Sequence, residues 1–201
     1  MKLAALALVA LGLTALGCET GGGIPGEAMG DPITEHLVMA PYPAATAWKQ
    51  VSDRHTRSGA TTVWVPADQE PKSARDRLTR QVMFGRGKTA PAELASELAA
   101  EIAEACEGAR TDGPRRRTED GNEVAYAEVT CSLGQGAKQD SLVLLKVIAG
   151  HEASYAAERE FRHLPSAAEL RVANGYLAEQ VFLCPVTGRT GRCAHPPAEI
   201  E

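Results

Sequence analysis

The chain has 201 residues, five cysteines and a formal net charge of −5. This acidic balance gives no support for nucleic-acid binding, which favours a basic surface, so we expect no nucleic acid among its partners. Beyond the N-terminal segment about 170 residues remain, enough for one domain with a sizeable hydrophobic core.

The N-terminal 17 residues combine one basic residue with an uncharged, apolar stretch. Lys2 precedes residues 3–16, which are too few to span a bilayer, for which about 20 apolar residues are needed. The stretch ends in Ala15-Leu16-Gly17-Cys18, and here the chain resembles bacterial prolipoproteins. The resemblance implies cleavage before Cys18 and attachment of a diacylglycerol and an acyl chain there. We expect no cofactor other than this covalent lipid.

The cysteine count and the next segment agree with a lipid anchor. Without Cys18 four cysteines remain, an even number that can pair fully outside the cytoplasm, whereas an ordinary secretory signal would leave one thiol over. Glycine-rich residues 18–32 are typical of a flexible tether. We therefore predict a leader at 1–17, a lipidated tether at 18–32 and one disulfide-bonded domain at 33–201. By the same resemblance, Glu19 after the cysteine implies the outer membrane, with the domain facing the periplasm, if the cell is Gram-negative. In a Gram-positive cell the anchor would lie in the single cell membrane.

Replacing Cys18 by alanine tests the anchor directly. Two or three acyl chains hold a protein at a membrane far more firmly than one, so their loss should release it. We expect the Cys18→Ala protein to be soluble or unprocessed when cell fractions are compared by immunoblotting. Retention of that variant in the membrane fraction would refute lipidation at this residue.

Hydrophobic periodicity predicts strands and helices along the rest of the chain. Residues 44–52 fit a short helix that carries Trp48. Five segments have the alternating or β-branched pattern of strands: residues 61–65, 77–84, 123–133, 141–148 and 154–161. The last of these would also allow a helix. A closing helix is predicted at 165–180.

The clearest single element is a helix that begins at Pro91. Proline is favoured at the first helical position, and Leu94, Leu98 and Ile102 recur every four residues as an apolar stripe. Gly108 can supply the stop. The element order predicts an α+β fold, an antiparallel sheet of about five strands with this long helix and a C-terminal helix packed on it. The order resembles that of PsbP-like domains, which implies binding or assembly rather than catalysis.

Four cysteines allow three pairings. Cys106 lies on the apolar stripe of the long helix and Cys131 on the inward face of the following strand, which favours one disulfide between them. Cys184 and Cys193 flank a turn-rich loop, which favours the second. A metal site at Cys184, Cys193 and His195 would have only three ligands at an unusual spacing, so we expect no metal.

Catalytic motifs with a recognisable spacing do not occur in the sequence. Asp53 and His55 would share a face on a strand, but residues 52–59 are more simply a solvated loop. We therefore predict no catalytic residue and no enzyme activity.

Candidate binding residues fall into two groups. Trp48 and Trp64 are the only tryptophans, and they are expected either in the core or in a groove for a peptide or glycan. Arg115, Arg116 and Arg117 precede acidic residues, which is typical of a solvated loop or, alternatively, of a patch for anionic lipid or an acidic partner.

The sequence thus predicts a non-enzymatic envelope lipoprotein, attached to the membrane by its lipid, whose domain binds or assembles with an envelope protein. A tethered inhibitor or immunity protein belongs to the same class. One alternative is a carrier of a small apolar or lipid ligand, which needs an apolar cavity between sheet and helix. The other is an envelope hydrolase in which His55 or His151 meets a carboxylate and a hydroxyl.

Overall fold

The computed structural model describes residues 34–106, 108–131, 140–187, 189–198 and 200. The predicted leader, Cys18 and the tether lie outside these residues. The described part of the chain forms two α-helices, α1 (Pro91–Glu104) and α2 (Ala167–Glu179). It also forms nine strands: β1 (Glu35–Met39), β2 (Trp48–Thr56), β3 (Gly59–Pro66), β4 (Asp76–Phe84), β5 (Ala109–Glu119), β6 (Asn122–Cys131), β7 (Ser141–Ala149), β8 (Ala153–Phe161) and β9 (Val181–Pro185).

The strands form one large sheet and one small one. Seven strands pair in the order β2-β3-β4-β8-β7-β6-β5, with every neighbouring pair antiparallel. β1 and β9 pair antiparallel as a separate ribbon. The fold is therefore mostly β, and the predicted α+β fold with a sheet of about five strands is wrong. The resemblance to PsbP-like domains rested on the shorter element order and stays a prediction.

Four strands were not predicted, for two different reasons. β2 and β5 are the two edges of the large sheet, and most of their side chains are exposed, so neither shows a regular alternation. β1 and β9 have five residues each. They pair with each other although they lie near opposite ends of the described chain, so no local pattern connects them. The helix predicted at 44–52 is wrong, because Trp48 opens β2.

The centre of the large sheet is buried on both faces. On one face α1 packs its Leu94 and Leu98 against β6 and β7, where Ala127, Val129 and Leu145 point towards it. On the other face α2 and the β1–β9 ribbon cover a second core. β7 accordingly has apolar residues on both faces, as its Leu/Val-rich sequence predicts.

A buried lysine ties the sheet to the helix layer. Lys146 of β7 is only 1% exposed, and its Nζ donates to Glu119 Oε2 at 2.7 Å. The same Nζ donates to the carbonyls of Leu177 in α2, at 2.8 Å, and Val181 in β9, at 2.7 Å. Tyr126 donates its hydroxyl to the other oxygen of Glu119. Burial lowers the pKa of Lys146, and the Glu119 carboxylate opposes that shift.

Two disulfides cross-link the domain. Cys106, just after α1, is bonded to Cys131 at the end of β6, and Cys184 in β9 is bonded to Cys193. These are the two pairs that the facing argument predicts. Loop closure contributes about 3.5 kcal/mol for the longer loop and about 3 kcal/mol for the shorter one. Within the described residues, neither helix is long and apolar enough to cross a membrane.

A partly buried carboxyl group titrates near neutral pH. Glu158 lies on the α1 face of β8, and Gln81 donates its Nε2 to Glu158 Oε1 at 2.6 Å. Burial, assisted by the nearby Glu160, raises the pKa of Glu158 to about 7, although Arg77 and Gln81 act in the opposite direction. The folded protein therefore retains a proton that the unfolded chain releases near pH 4.5.

This raised pKa makes stability depend on pH. Because the folded state binds more protons, the contribution of Glu158 to the free energy of unfolding should fall by about 2–3 kcal/mol as the pH rises from 4.5 through 7. Glu158→Gln keeps the contact with Gln81 and removes the titration. Urea unfolding between pH 5 and 8 should give a flatter profile for the variant. Equal slopes for the two proteins would contradict the assignment.

Candidate ligand-binding site

An open cavity of about 370 Å³ lies at one end of the α2 layer. Its walls come from the β1–β2 loop, the adjoining ends of β3, β4 and β8, and the first two turns of α2. Its lining residues combine small apolar, aromatic and charged side chains: Tyr42, Pro43, Ala44, Ala45, Thr46, Trp48, Pro66, Asp68, Gln69, Asp76, Arg159, Ala168, Glu169 and Val172.

The aromatic wall is positioned by the loop between β1 and β2. Pro41 and Pro43 flank Tyr42 and favour an extended backbone at Ala40 and Tyr42. Tyr42 is buried, and its ring centroid lies 5.4 Å from that of Trp48 in an edge-to-face arrangement. Tyr176 of α2 supports Tyr42 from behind at 4.9 Å. The two rings are therefore fixed by packing on the helix.

A buried arginine also lines the cavity. Arg159 of β8 is 3% exposed, and the centre of its guanidinium lies 3.9 Å from the ring centroid of Phe161. The same centre lies 4.9 Å from Tyr42 and 5.2 Å from Trp48. These distances are within the range of cation–π attraction, so three rings surround the positive charge.

The hydrogen bonds of Arg159 leave part of its donor capacity unused. Nη2 donates to Asp76 Oδ1 at 2.6 Å, and Nη1 donates to the carbonyl of Glu160 at 2.6 Å. Nε is buried and has no hydrogen-bond partner among the described residues. A buried donor without an acceptor costs about 1–3 kcal/mol. An oxygen atom of a ligand that reached this nitrogen would offset that cost.

Carboxylates and an exposed valine complete the lining. Glu169 closes the capping box at the start of α2, because Ser166 donates both its hydroxyl and its backbone N–H to Glu169 Oε2 at 2.7 Å. These bonds lower the pKa of Glu169 to about 2, so it is ionised at neutral pH. Asp68 is exposed, and Val172 is 42% exposed. The lining thus holds three carboxylates and one guanidinium.

The Asp53–His55 pair lies elsewhere. Both side chains are on β2, and His55 Nε2 lies 3.2 Å from Asp53 Oδ2. The two residues share one face of β2, as their spacing predicts for a strand. The solvated loop predicted for residues 52–59 is therefore wrong. Thr62 donates its hydroxyl to the other oxygen of Asp53 at 3.1 Å. Both residues of the pair are exposed, and neither lines the cavity described above.

The predicted binding residues have separate locations. Trp48 lines the cavity, whereas Trp64 is 1% exposed and belongs to the core beneath α2. The predicted loop at Arg115, Arg116 and Arg117 is wrong: these residues are exposed side chains of the edge strand β5. The structure therefore brings neither Trp64 nor the arginines into this cavity.

Sequence reasoning named only Trp48 among the residues that build the site. Arg159 could have been found, because it interrupts the inward series Tyr155, Ala157 and Phe161 of a predicted strand. A charged residue at an inward position must be paired or functional. Its partner Asp76 could not be identified, because the pairing of β4 with β8 is a long-range property.

Comparisons with known proteins include a weak structural likeness. No family model matches the chain, and no curated protein matches it. Among solved structures, the crystal structure of LpqN involved in cell envelope biogenesis of Mycobacterium tuberculosis is 15% identical and has a TM-score of 0.41. The match covers 78% of this chain and 88% of that one. At this level the likeness assigns neither a family nor an activity to the chain.

Proposed function

We propose that this protein is a non-enzymatic binding module of the bacterial cell envelope that holds a small ligand in the cavity at Arg159. The observation that carries the proposal is a guanidinium buried among three aromatic rings beside an open cavity of about 370 Å³. This function is nearer to the carrier alternative than to the protein-binding hypothesis. The envelope protein partner stays a prediction.

The size and lining of the cavity support a ligand site. Small-molecule sites measure roughly 300–1,000 Å³ and combine apolar walls with a few convergent polar groups. Here Tyr42, Trp48 and Val172 supply apolar surface, while Arg159 and Asp76 supply the polar groups. The ion pair is poorly explained by stability alone, because apolar residues of similar volume often replace buried ion pairs without loss.

The N-terminal sequence supports a position at the membrane. Lipid chains on Cys18 would hold the protein there, and a glycine-rich tether of about 14 residues spans roughly 20 Å. The domain could then reach molecules that are embedded in the membrane or close to its surface. We place the protein in the outer membrane facing the periplasm if the cell is Gram-negative.

A pair of matched valine substitutions tests the cavity. Val172 lines it, and Val186, 49% exposed, does not. A neutral apolar fluorophore such as N-phenyl-1-naphthylamine should brighten on binding to the wild-type protein. Val172→Glu should weaken that binding at least tenfold, because it adds a carboxylate to the cavity wall, whereas Val186→Glu should leave it unchanged.

Circular dichroism should show that both variants are folded, since both positions are exposed. Absence of fluorophore binding to the wild type, or equal affinities for the two variants, would refute the proposed site.

A further inference from the structure

We infer that the cavity at Arg159 recognises a neutral, hydroxyl-bearing ring of the carbohydrate type. The group can come from a free sugar or from the glycosyl headgroup of a lipid. This inference rests on the proposed function and specifies its ligand.

The charges of the lining exclude an anionic ligand. Asp68, Asp76 and Glu169 outnumber Arg159, whose guanidinium is already held by Asp76 at 2.6 Å. An added anion would therefore lie near two carboxylates whose charge no lining cation balances. At partly buried sites such repulsion is much stronger than in bulk water. We therefore expect Arg159 to donate hydrogen bonds to a neutral ligand and not to bind an anionic group.

The aromatic rings are poor sites for a cationic ligand, for a different reason. An ammonium group would seek the faces of Tyr42 and Trp48, which already lie 4.9 Å and 5.2 Å from the guanidinium of Arg159. A second positive charge on these rings would be repelled by the guanidinium of Arg159. Glu169 keeps its charge, but its two oxygens already accept hydrogen bonds from Ser166 and His163, which leaves less capacity to bind an ammonium group.

The remaining groups suit hydroxyls on a ring with an apolar face. A hydroxyl both donates and accepts, so it can accept from Arg159 and donate to the exposed carboxylate of Asp68. Gln69 also lines the cavity; its Oε1 accepts from the backbone of Arg75, which leaves its amide hydrogens for a ligand. The C–H face of a sugar ring can pack on Trp48 and Val172. A plain alkyl ligand would leave these polar groups unpaired.

Calorimetric titration of the full mature chain in lipid nanodiscs tests the class of ligand. The probes are methyl glycosides of glucose, galactose and mannose, with the matching uronic acids and amino sugars as anionic and cationic controls. We expect at least one neutral glycoside to bind ten or more times more tightly than its charged counterparts. Charged sugars that bind equally or more tightly would overturn the inference, as would binding of the fluorophore without any sugar.

Two carboxylate variants add a site-specific control. Asp68→Asn should weaken binding of the neutral glycoside about threefold to tenfold, because an amide accepts a hydrogen bond less strongly than a carboxylate. Glu70→Gln, two residues away and outside the lining, should have no effect. Equal effects of the two variants would overturn the assignment to this cavity.

Glucosides with a long and a short alkyl chain distinguish a glycolipid from a free sugar as the source of the sugar ring. Octyl glucoside, used below its micellar concentration with empty nanodiscs as the blank, should bind more tightly than methyl glucoside if the ligand is a glycolipid. Equal affinities indicate a free sugar. If neither the sugars nor the fluorophore bind, the proposed function itself fails, whereas loss of sugar binding alone refutes only the ligand class.

Discussion

Replacing Lys146 by methionine is expected to lower the free energy of unfolding by about 3–5 kcal/mol. The substitution keeps most of the length of the side chain but removes all three donors. It leaves the carbonyls of Leu177 and Val181 without their donor and the Glu119 carboxylate without its cation. The two carbonyls belong to buried residues and the Glu119 side chain is only 18% exposed, so water does not easily replace these hydrogen bonds.

Urea unfolding with the disulfides intact measures this loss. Lys49→Met provides the matched control, because Lys49 lies on the edge strand β2 and makes one exposed bond, to the carbonyl of Ala67. The control should lose less than about 1 kcal/mol, in line with other surface charges. A loss of similar size in both variants would show that the buried lysine has no special role in joining α2 to the sheet.

Replacing Arg159 by methionine should have two separable effects. It should cost about 3–5 kcal/mol of stability, because Asp76 is left with an uncompensated charge in a partly buried position. It should also abolish detectable binding of sugars, because it removes the donor that a sugar hydroxyl would accept from. The double variant Asp76→Asn/Arg159→Met removes both charges and should recover most of the stability while binding stays lost.

Arg162→Met is the control for this series. Arg162 lies three residues further along the chain and pairs with Glu160 at 2.9 Å near the surface. It should lose under about 1 kcal/mol and retain binding. Restoration of binding in the double variant would mean that Arg159 supports the fold of the cavity but takes no part in recognition.

Periodicity predicted the centre of the sheet because burial there is strong and local. β6 alternates, β7 is apolar on both faces, and the stripe on α1 follows the helical repeat. The same logic identified the inward positions of Cys106 and Cys131. In each case the spacing of the apolar residues is enough to predict which face packs against the core.

The edges and the candidate site were less accessible to sequence reasoning. β2 and β5 bury little, so their backbone pairing leaves almost no trace in residue type. The cavity assembles side chains from the loop at Tyr42, from Asp76, Arg159 and the start of α2. Their proximity follows from the strand order, which local patterns do not encode.

The stabilisation of α2 at both ends bears on how the cavity works. Its first turn is held by the bonds between Ser166 and Glu169, and its last turn by Lys146. The stretch between them supplies one wall of the cavity. A wall that is already ordered before a ligand arrives spares the entropy of immobilising it. Binding should therefore change the amide-exchange protection of α2 very little, and affinity should depend on the ligand's own rigidity more than on closure of the protein.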